Sequence, residues 1–268
     1  MTNPFKADVL VVKLSGKALT ADKALDALFA ALAGSAANAE RKRVVLVHRG
    51  GVEVDALMRG LDRPIDRIEG LRVSPDEDMP VIAGALAGTC SLKLRGAAQR
   101  AGLMPLGLCA TDAGIGRVVP ADPRLGRVGV IEPGDSAAKR RLQALLDAGF
   151  TPVISSVGMD AAGALWNINA DDAAVASAAL LGAPLIFLSD VPGVLDANKH
   201  LFEQLNEKQA ETLIAEGVIS GGMTVKVRAA FRAAAMTGKP VAAASVFDPM
   251  LPNKLASGQL PGTTFTLE

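Results

Sequence analysis

The sequence predicts an α/β protein built on a mostly parallel sheet. Two observations carry this. Short β-branched runs alternate with alanine-rich helical stretches along the whole chain. The first run, VLVVKL, is apolar up to Lys13, as expected of a strand covered on both faces. With 268 residues, half of them hydrophobic, the chain lies near the upper limit for one core. A single domain spanning 1–268 is therefore expected, of a length that allows two lobes.

In order, strands are expected at 9–14, 43–48, 104–109, 151–155, 185–189 and 241–245. Helices are expected at 21–33, 52–60, 136–148, 172–181, 207–216 and 226–237. Two stretches break the alternation. PIDRIEGLRVS (64–74) and RVVPADPRLGRVGVI (117–131) each place short extended arms around a turn containing Gly or Pro, and both read as hairpins. A hairpin beside a site acts as a lid, and Arg72 on the first arm would aim a planar donor fork at a carboxylate. EDMPVIAGALAGTCSLKLRGAAQR (77–100) reads as one long helix whose small residues allow close approach, either to a second subunit or to the sheet.

Composition excludes several functions. Aromatic residues make up 3% of the chain and tyrosine is absent, which argues against base stacking and hence against nucleic-acid binding. Lys and Arg total 28 against 28 Asp and Glu, so no net field draws a polyanion or an anionic membrane. Cys90 and Cys109 sit in apolar stretches without CxxC spacing and read as buried core thiols. No resident metal set is expected. No signal peptide and no run of membrane-spanning length is read, so the expected location is the cytoplasm.

The chemistry sits in four segments. Lys13 ends the first strand and passes through Ser15 and Gly16 into a loop of exposed amides, the kind that cradles phosphate. It lacks the GxxxxGK[ST] spacing of a Walker loop. After His48, the residues Arg49, Gly50 and Gly51 make a second such loop. In LWNINADDAA, Asn167, Asn169 and Asp171 precede an alanine-rich helix, where Asp171 either orients lysines or caps that helix. In LIFLSDVPGVLD an apolar strand runs into Ser189 and Asp190 and a Pro192–Gly193 turn. In VISGGMTVKV, Gly221 and Gly222 precede a helix whose first turns include Lys226.

Taken together, VVKLSG, VHRGGVEVDALM, GLRVSP, GALAGT, WNINADDAA, LLGAPLIFLSDVPGVLD and ISGGMTVKV stand in the order and spacing of a known family. The chain resembles the amino acid kinase superfamily and, within it, the acetylglutamate kinases of arginine biosynthesis. The resemblance implies a three-layer αβα sandwich with an open, mainly parallel central sheet. An amino-terminal lobe would hold the acyl amino acid and a carboxyl-terminal lobe would hold ATP. It implies transfer of the γ-phosphoryl group of ATP, with Mg²⁺ carried by the nucleotide, to the side-chain carboxylate of N-acetyl-L-glutamate.

Carried over by position, Lys13 and Lys226 resemble the pair that stabilises the moving phosphoryl group, with Asp171 holding them. Gly16, Gly50 and Gly51 would supply amides to phosphate and substrate. Arg72 would clamp the substrate α-carboxylate, with Asn167 beside it. Asp190, Val191, Pro192, Gly193, Val194 and Leu195, with Val218, Ile219 and Ser220, resemble the nucleotide pocket. Catalysis by positioning and charge suits a loose phosphoryl transition state. Two positions depart from the family pattern. Ser15 replaces a glycine, as it does in the related uridylate kinases, and Arg49 stands where the family reads His-Gly-Gly-Gly. Arg49 would either add a phosphate or carboxylate contact or point to solvent.

The alternatives are a related kinase acting on acetylaminoadipate or carbamate, and a non-catalytic sensor of the same fold. A sensor would be expected to lose Lys13, Asp171 or Lys226, and all three are present. Twelve residues precede Lys13, too few for the helix that interlaces dimers into hexamers in arginine-inhibited members. A homodimer built on helix 77–100 and insensitive to arginine is expected.

Overall fold

A computed structural model of the protein describes residues 9–34, 43–196, 198–259 and 261–267. The amino-terminal stretch behind the assembly expectation lies outside the described residues up to position 8.

The chain begins with β1 (Val9–Leu14), a 3-10 turn (Ala18–Thr20), α1 (Asp22–Ala33), β2 (Arg43–His48) and α2 (Gly51–Gly60). The hairpin of β3 (Arg67–Ile68) and β4 (Leu71–Arg72) follows. Next come α3 (Met79–Ala83), a π-helical stretch (Gly84–Cys90), α4 (Ser91–Arg100) and β5 (Pro105–Cys109). A second hairpin, β6 (Gly116–Pro120) and β7 (Val128–Pro133), leads to α5 (Ser136–Asp147), β8 (Thr151–Ser155), β9 (Val157–Met159), β10 (Leu165–Ile168) and α6 (Ala170–Leu181). The last part contains β11 (Leu185–Ser189), β12 (Gln204–Asn206), α7 (Glu207–Ala215), α8 (Gly222–Thr237), β13 (Val241–Ser245), α9 (Leu251–Ser257) and β14 (Thr263–Thr266).

The main sheet has eight strands in the order β12-β14-β13-β11-β1-β2-β8-β5, and all its pairings are parallel except β13 with β14. Strand periodicity divides its side chains between two cores. Val11, Val45, Val47 and Ile154 meet α5, α6 and α8 through Leu142, Ala174 and Ala230. On the opposite face, Leu10, Val12, Leu46 and Val153 meet α1, α4 and α9 through Leu28, Phe29, Leu94 and Leu255. This is the expected three-layer αβα sandwich. A smaller sheet, β6-β7-β10-β9, and the β3–β4 hairpin sit beside it. A third cluster, with Val54, Met58, Ile82 and Leu86, packs α2 against α3 and the π-helical stretch.

The expected strand and helix positions hold to within a few residues, and both hairpins form. Helix 77–100 differs from its expectation. It runs as a 3-10 turn (Asp76–Asp78), α3, seven π-helical residues and α4. Gly84 and Gly88 in that stretch have no side chains to resist the wider turn. Cys109 is also corrected: it is half-buried, whereas Cys90 is fully buried. The reason is position, since β5 is the edge strand of the main sheet and its residues are only partly covered.

Candidate active site

The centre of the main sheet places three strand ends together. β1 lies between β11 and β2, so the chain leaves Leu14, His48 and Ser189 side by side at the carboxyl edge. At this point the connections turn to opposite sides of the sheet, which is where open α/β sheets bind ligands.

Lys13 projects from the same face of β1 as Val11, toward α6. Its Nζ lies 2.5 Å from Asp171 Oδ1, and the two residues are only 3% and 6% exposed. Asp171 is free for this role because Asn169 caps α6, its Oδ1 accepting from the Asp171 backbone N–H at 3.0 Å. The reading of Asp171 as the cap is thereby excluded. Burial pushes the Asp171 carboxyl up, but the adjacent Lys13 charge, with Arg49 and Lys226 adding to it, holds it below the usual carboxylate range.

Lys226 enters from the second turn of α8, a helix that begins at Gly222, earlier than expected. Burial and then the Lys13 charge depress its ammonium pKa, while Asp171 opposes them. Next to this set, Arg232 of α8 donates to Asp172 of α6 at 2.6 Å, tying together the two helices that carry Lys226 and Asp171. Neither α2, which starts after Gly50, nor α8, which starts after Gly221, has a side-chain cap on its first N–H groups. These amino-terminal amides are the donors an anion uses.

A cavity opens at the start of α6, lined also by Gly50, Gly51, Arg72, Ser156 and Asn167. Arg72 reaches in from β4. Its Nη2 donates to Asp55 Oδ1 on α2 and lies 3.4 Å from the Gly51 carbonyl. Its Nη1 is buried with no hydrogen-bond partner. An orphaned guanidinium donor in a cavity is costly unless an anion completes it. Asn167 stands opposite on β10, its Nδ2 donating to Ser74 Oγ at 3.0 Å. Arg49 also turns into this space: it lines the cavity, and its Nε lies 3.7 Å from the position a Cβ on Gly51 would occupy.

The nucleotide candidates lie apart from this cavity, after β11 and before α8. Asp190 is exposed and accepts from Lys17 Nζ at 2.5 Å. The Val194 backbone N–H donates to Thr263 Oγ1 at 2.8 Å, and Gly193 lies so close to that hydroxyl that a Cβ there would fall 2.4 Å away. Val194 and Ile219 are core residues. Surface is offered by Asp190, Val191, Pro192, Leu195, Val218 and Ser220. The sequence reading missed Asp55 and Ser74, which hold Arg72 and Asn167. Asp55, four residues after Gly51 on the same helix face, was the available signal.

A sequence model described as the amino acid kinase family matches residues 8–244. An acetylglutamate kinase of Vibrio vulnificus is 47% identical over 265 residues, covering 99% of both chains. One from Aeromonas salmonicida is 46% identical, covering 96% of this chain and 98% of its own. A carbamate kinase structure from Giardia shares the fold at a TM-score of 0.68 and 17% identity, over 98% of this chain and all of its own. Matched from β1 into β13, the chain belongs to the amino acid kinase family.

Proposed function

We infer that this protein is an ATP-dependent kinase that phosphorylates the side-chain carboxylate of N-acetyl-L-glutamate, giving N-acetyl-L-glutamyl 5-phosphate and ADP in arginine biosynthesis. The observation that carries this reading is the unpartnered, buried Nη1 of Arg72, in a cavity lined also by Asn167 and by the start of α6, the helix whose Asp171 pairs with Lys13. Arg72 takes the α-carboxylate and Asn167 the neighbouring polar groups, leaving the side-chain carboxylate directed at the lysines. The full-length likeness to acetylglutamate kinases supports this choice of acid.

One oxygen of the side-chain carboxylate bonds to the γ-phosphorus as the bond to the β,γ-bridging oxygen breaks, and ADP leaves with the electron pair. Lys13 and Lys226 stabilise the charge on the group in transfer, and Asp171 fixes Lys13 in the orientation this requires. Magnesium enters with the nucleotide as part of that substrate, held by its phosphates. Asp190, Val191, Pro192, Leu195, Val218 and Ser220 border the nucleotide, and backbone groups serve at Gly193, Val194 and Ile219. The division of labour is an acid-binding lobe up to about residue 178 and an ATP lobe after it. The protein works as a homodimer in the cytoplasm; no helix among the described residues is long and apolar enough to cross a membrane.

Trapping the acyl phosphate with hydroxylamine across N-acetylglutamate, N-acetylaminoadipate, N-acetylaspartate and carbamate tests the reading. N-acetylglutamate should give the highest kcat/KM; a higher value for any other acid would overturn the assignment. In Arg72→Lys the charge stays and the fork is lost, so the acid KM should rise while the ATP KM holds. Equal changes in both would indicate a closure or folding defect and remove Arg72 from the acid site.

A further inference from the structure

Arg49 is exposed at the mouth of the acid cavity, and its position is unusual among the site's cations. Arg72 and Arg67 line the cavity and are both paired with Asp55. Lys13 is paired with Asp171. Arg49 has no ion pair or hydrogen bond to its side chain among the described residues. Although the residue is exposed, its Nε lies 3.7 Å from the position a Cβ would take on Gly51, the first residue of α2. Its charge acts on Asp171 and on Lys226, although neither is its neighbour in the chain. Arg49 thus lies between the space that receives an acid and the lysines that receive a phosphoryl group.

Its surroundings call for an anion. Lys13, Lys226 and Arg49 gather around one buried carboxylate, Asp171, whose charge Lys13 already balances. Two like charges close together in a partly desolvated cleft are unfavourable until something negative lies between them. A planar fork can hold two oxygens at once, which a lysine cannot. The reaction supplies such a pair: the attacking carboxylate oxygen and an equatorial oxygen of the phosphoryl group, both negative and driven together.

We propose that Arg49 is a catalytic residue whose guanidinium bridges the attacking carboxylate and the transferring phosphoryl group, offsetting their mutual repulsion as the new bond forms. The proposal rests on the carboxylate-phosphorylating reading above and adds to it a third transition-state cation. No proton moves and nothing is oxidised; the bonds that form and break are those already described.

The test uses the full chain with Arg49→Ala and Arg49→Lys. Arg49→Ala should lower kcat about 100-fold, the usual scale for one lost charge-stabilising donor. The ATP KM should stay within about threefold. Arg49→Lys should fall between parent and Ala, and guanidinium ion added to Arg49→Ala should restore part of the rate. Calorimetry gives a readout that does not depend on the acid: ADP with magnesium and aluminium fluoride, a mimic of the phosphoryl group in flight, should bind Arg49→Ala at least about tenfold more weakly, while ADP with magnesium alone binds as to the parent. Should Arg49→Ala lose its cooperative thermal transition, Arg49→Gln carries the same measurements. A kcat within twofold of parent, or equal losses for ADP with and without aluminium fluoride, would overturn the proposal. If the parent phosphorylates none of the acids yet aluminium fluoride binding still depends on Arg49, the substrate reading and with it the carboxylate half of the bridge are overturned, while the contact of Arg49 with the phosphoryl group is supported.

Discussion

Lys13 and Lys226 are both cations at one site, but their surroundings differ, and so should the consequences of removing them. Lys13→Ala and Lys226→Ala should each lower kcat by roughly 10²–10³ with smaller changes in KM. Lys13 also neutralises a carboxylate that is almost fully buried. Its loss should therefore cost about 3–5 kcal/mol of stability in urea denaturation, whereas Lys226→Ala, half-buried and paired with nothing so closely, should unfold near the parent midpoint. Near-parental kcat in either variant would remove that lysine from the transition state. His48 gives a second test at this scale. Fully buried with both ring nitrogens unpartnered, its imidazole is pushed down to about 4, by burial first, with only a backbone contact at Arg49 opposing. The folded protein holds it neutral, while the unfolded chain protonates it below about 6.5. Stability from this group is complete above that value and is lost as pH falls toward about 4. Between about pH 7 and about pH 5 the loss should reach about 2 kcal/mol, and His48→Leu should flatten that limb of the urea midpoint against pH. An unchanged acid slope would show that His48 gains a partner in solution. The lysines and Asp171 were legible as residues because strand ends and glycine loops mark where they stand. The pairings that orient them were not, since Asp171 lies far from Lys13 in the chain and only the packing of α6 on β1 brings them together.

Gly50 shows how the elements hold the second glycine loop in place. A Cβ there would lie 2.5 Å from Cys90 Sγ and 2.9 Å from Leu86 Cδ2, both on the π-helical stretch. The wider turn thus brings two side chains directly under the loop, and only a glycine leaves them room. Gly50→Ala should displace the loop, cost about 1–3 kcal/mol, and reduce activity with it. Adding Cys90→Ala removes the nearest atom, so the double variant should recover part of both losses; no recovery would mean that the loop is constrained from elsewhere. Six strands of the main sheet, β1, β2, β5, β8, β11 and β13, were readable because each is a largely apolar run bounded by turn or loop residues. β9, β10, β12 and β14 were not, at three or four residues each. Such short strands carry too few positions for a period of two to stand out, and their pairing is set by partners distant in sequence. The π-helical stretch escaped for a related reason: its composition is that of an ordinary helix, and its wider winding reflects local packing as much as propensity.

For the whole molecule, the sandwich was legible from the alternation of strand and helix, whereas the reversal that pairs β13 with β14 antiparallel was not, because either direction would bury the same residues. Assembly is the remaining property at this scale, and the helical stretch from Met79 to Arg100 is where it should be decided. Its inward face is occupied by Ile82, Leu86, Cys90 and Leu94, all buried. Its outward face carries Gly84 and Gly88, where an added Cβ would meet nothing, and Leu92, which is 58% exposed. Two such faces crossing about a two-fold axis approach closely over the glycines and remove Leu92 from water on both sides. Light scattering should therefore give a mass near twice 27.5 kDa. Leu92→Arg places like charges against each other across the axis and should shift that mass toward the monomer, while the thermal transition of the separated chains persists. A parent that runs as a monomer, or a Leu92→Arg variant that remains a dimer at low concentration, would place the subunit contact on another face.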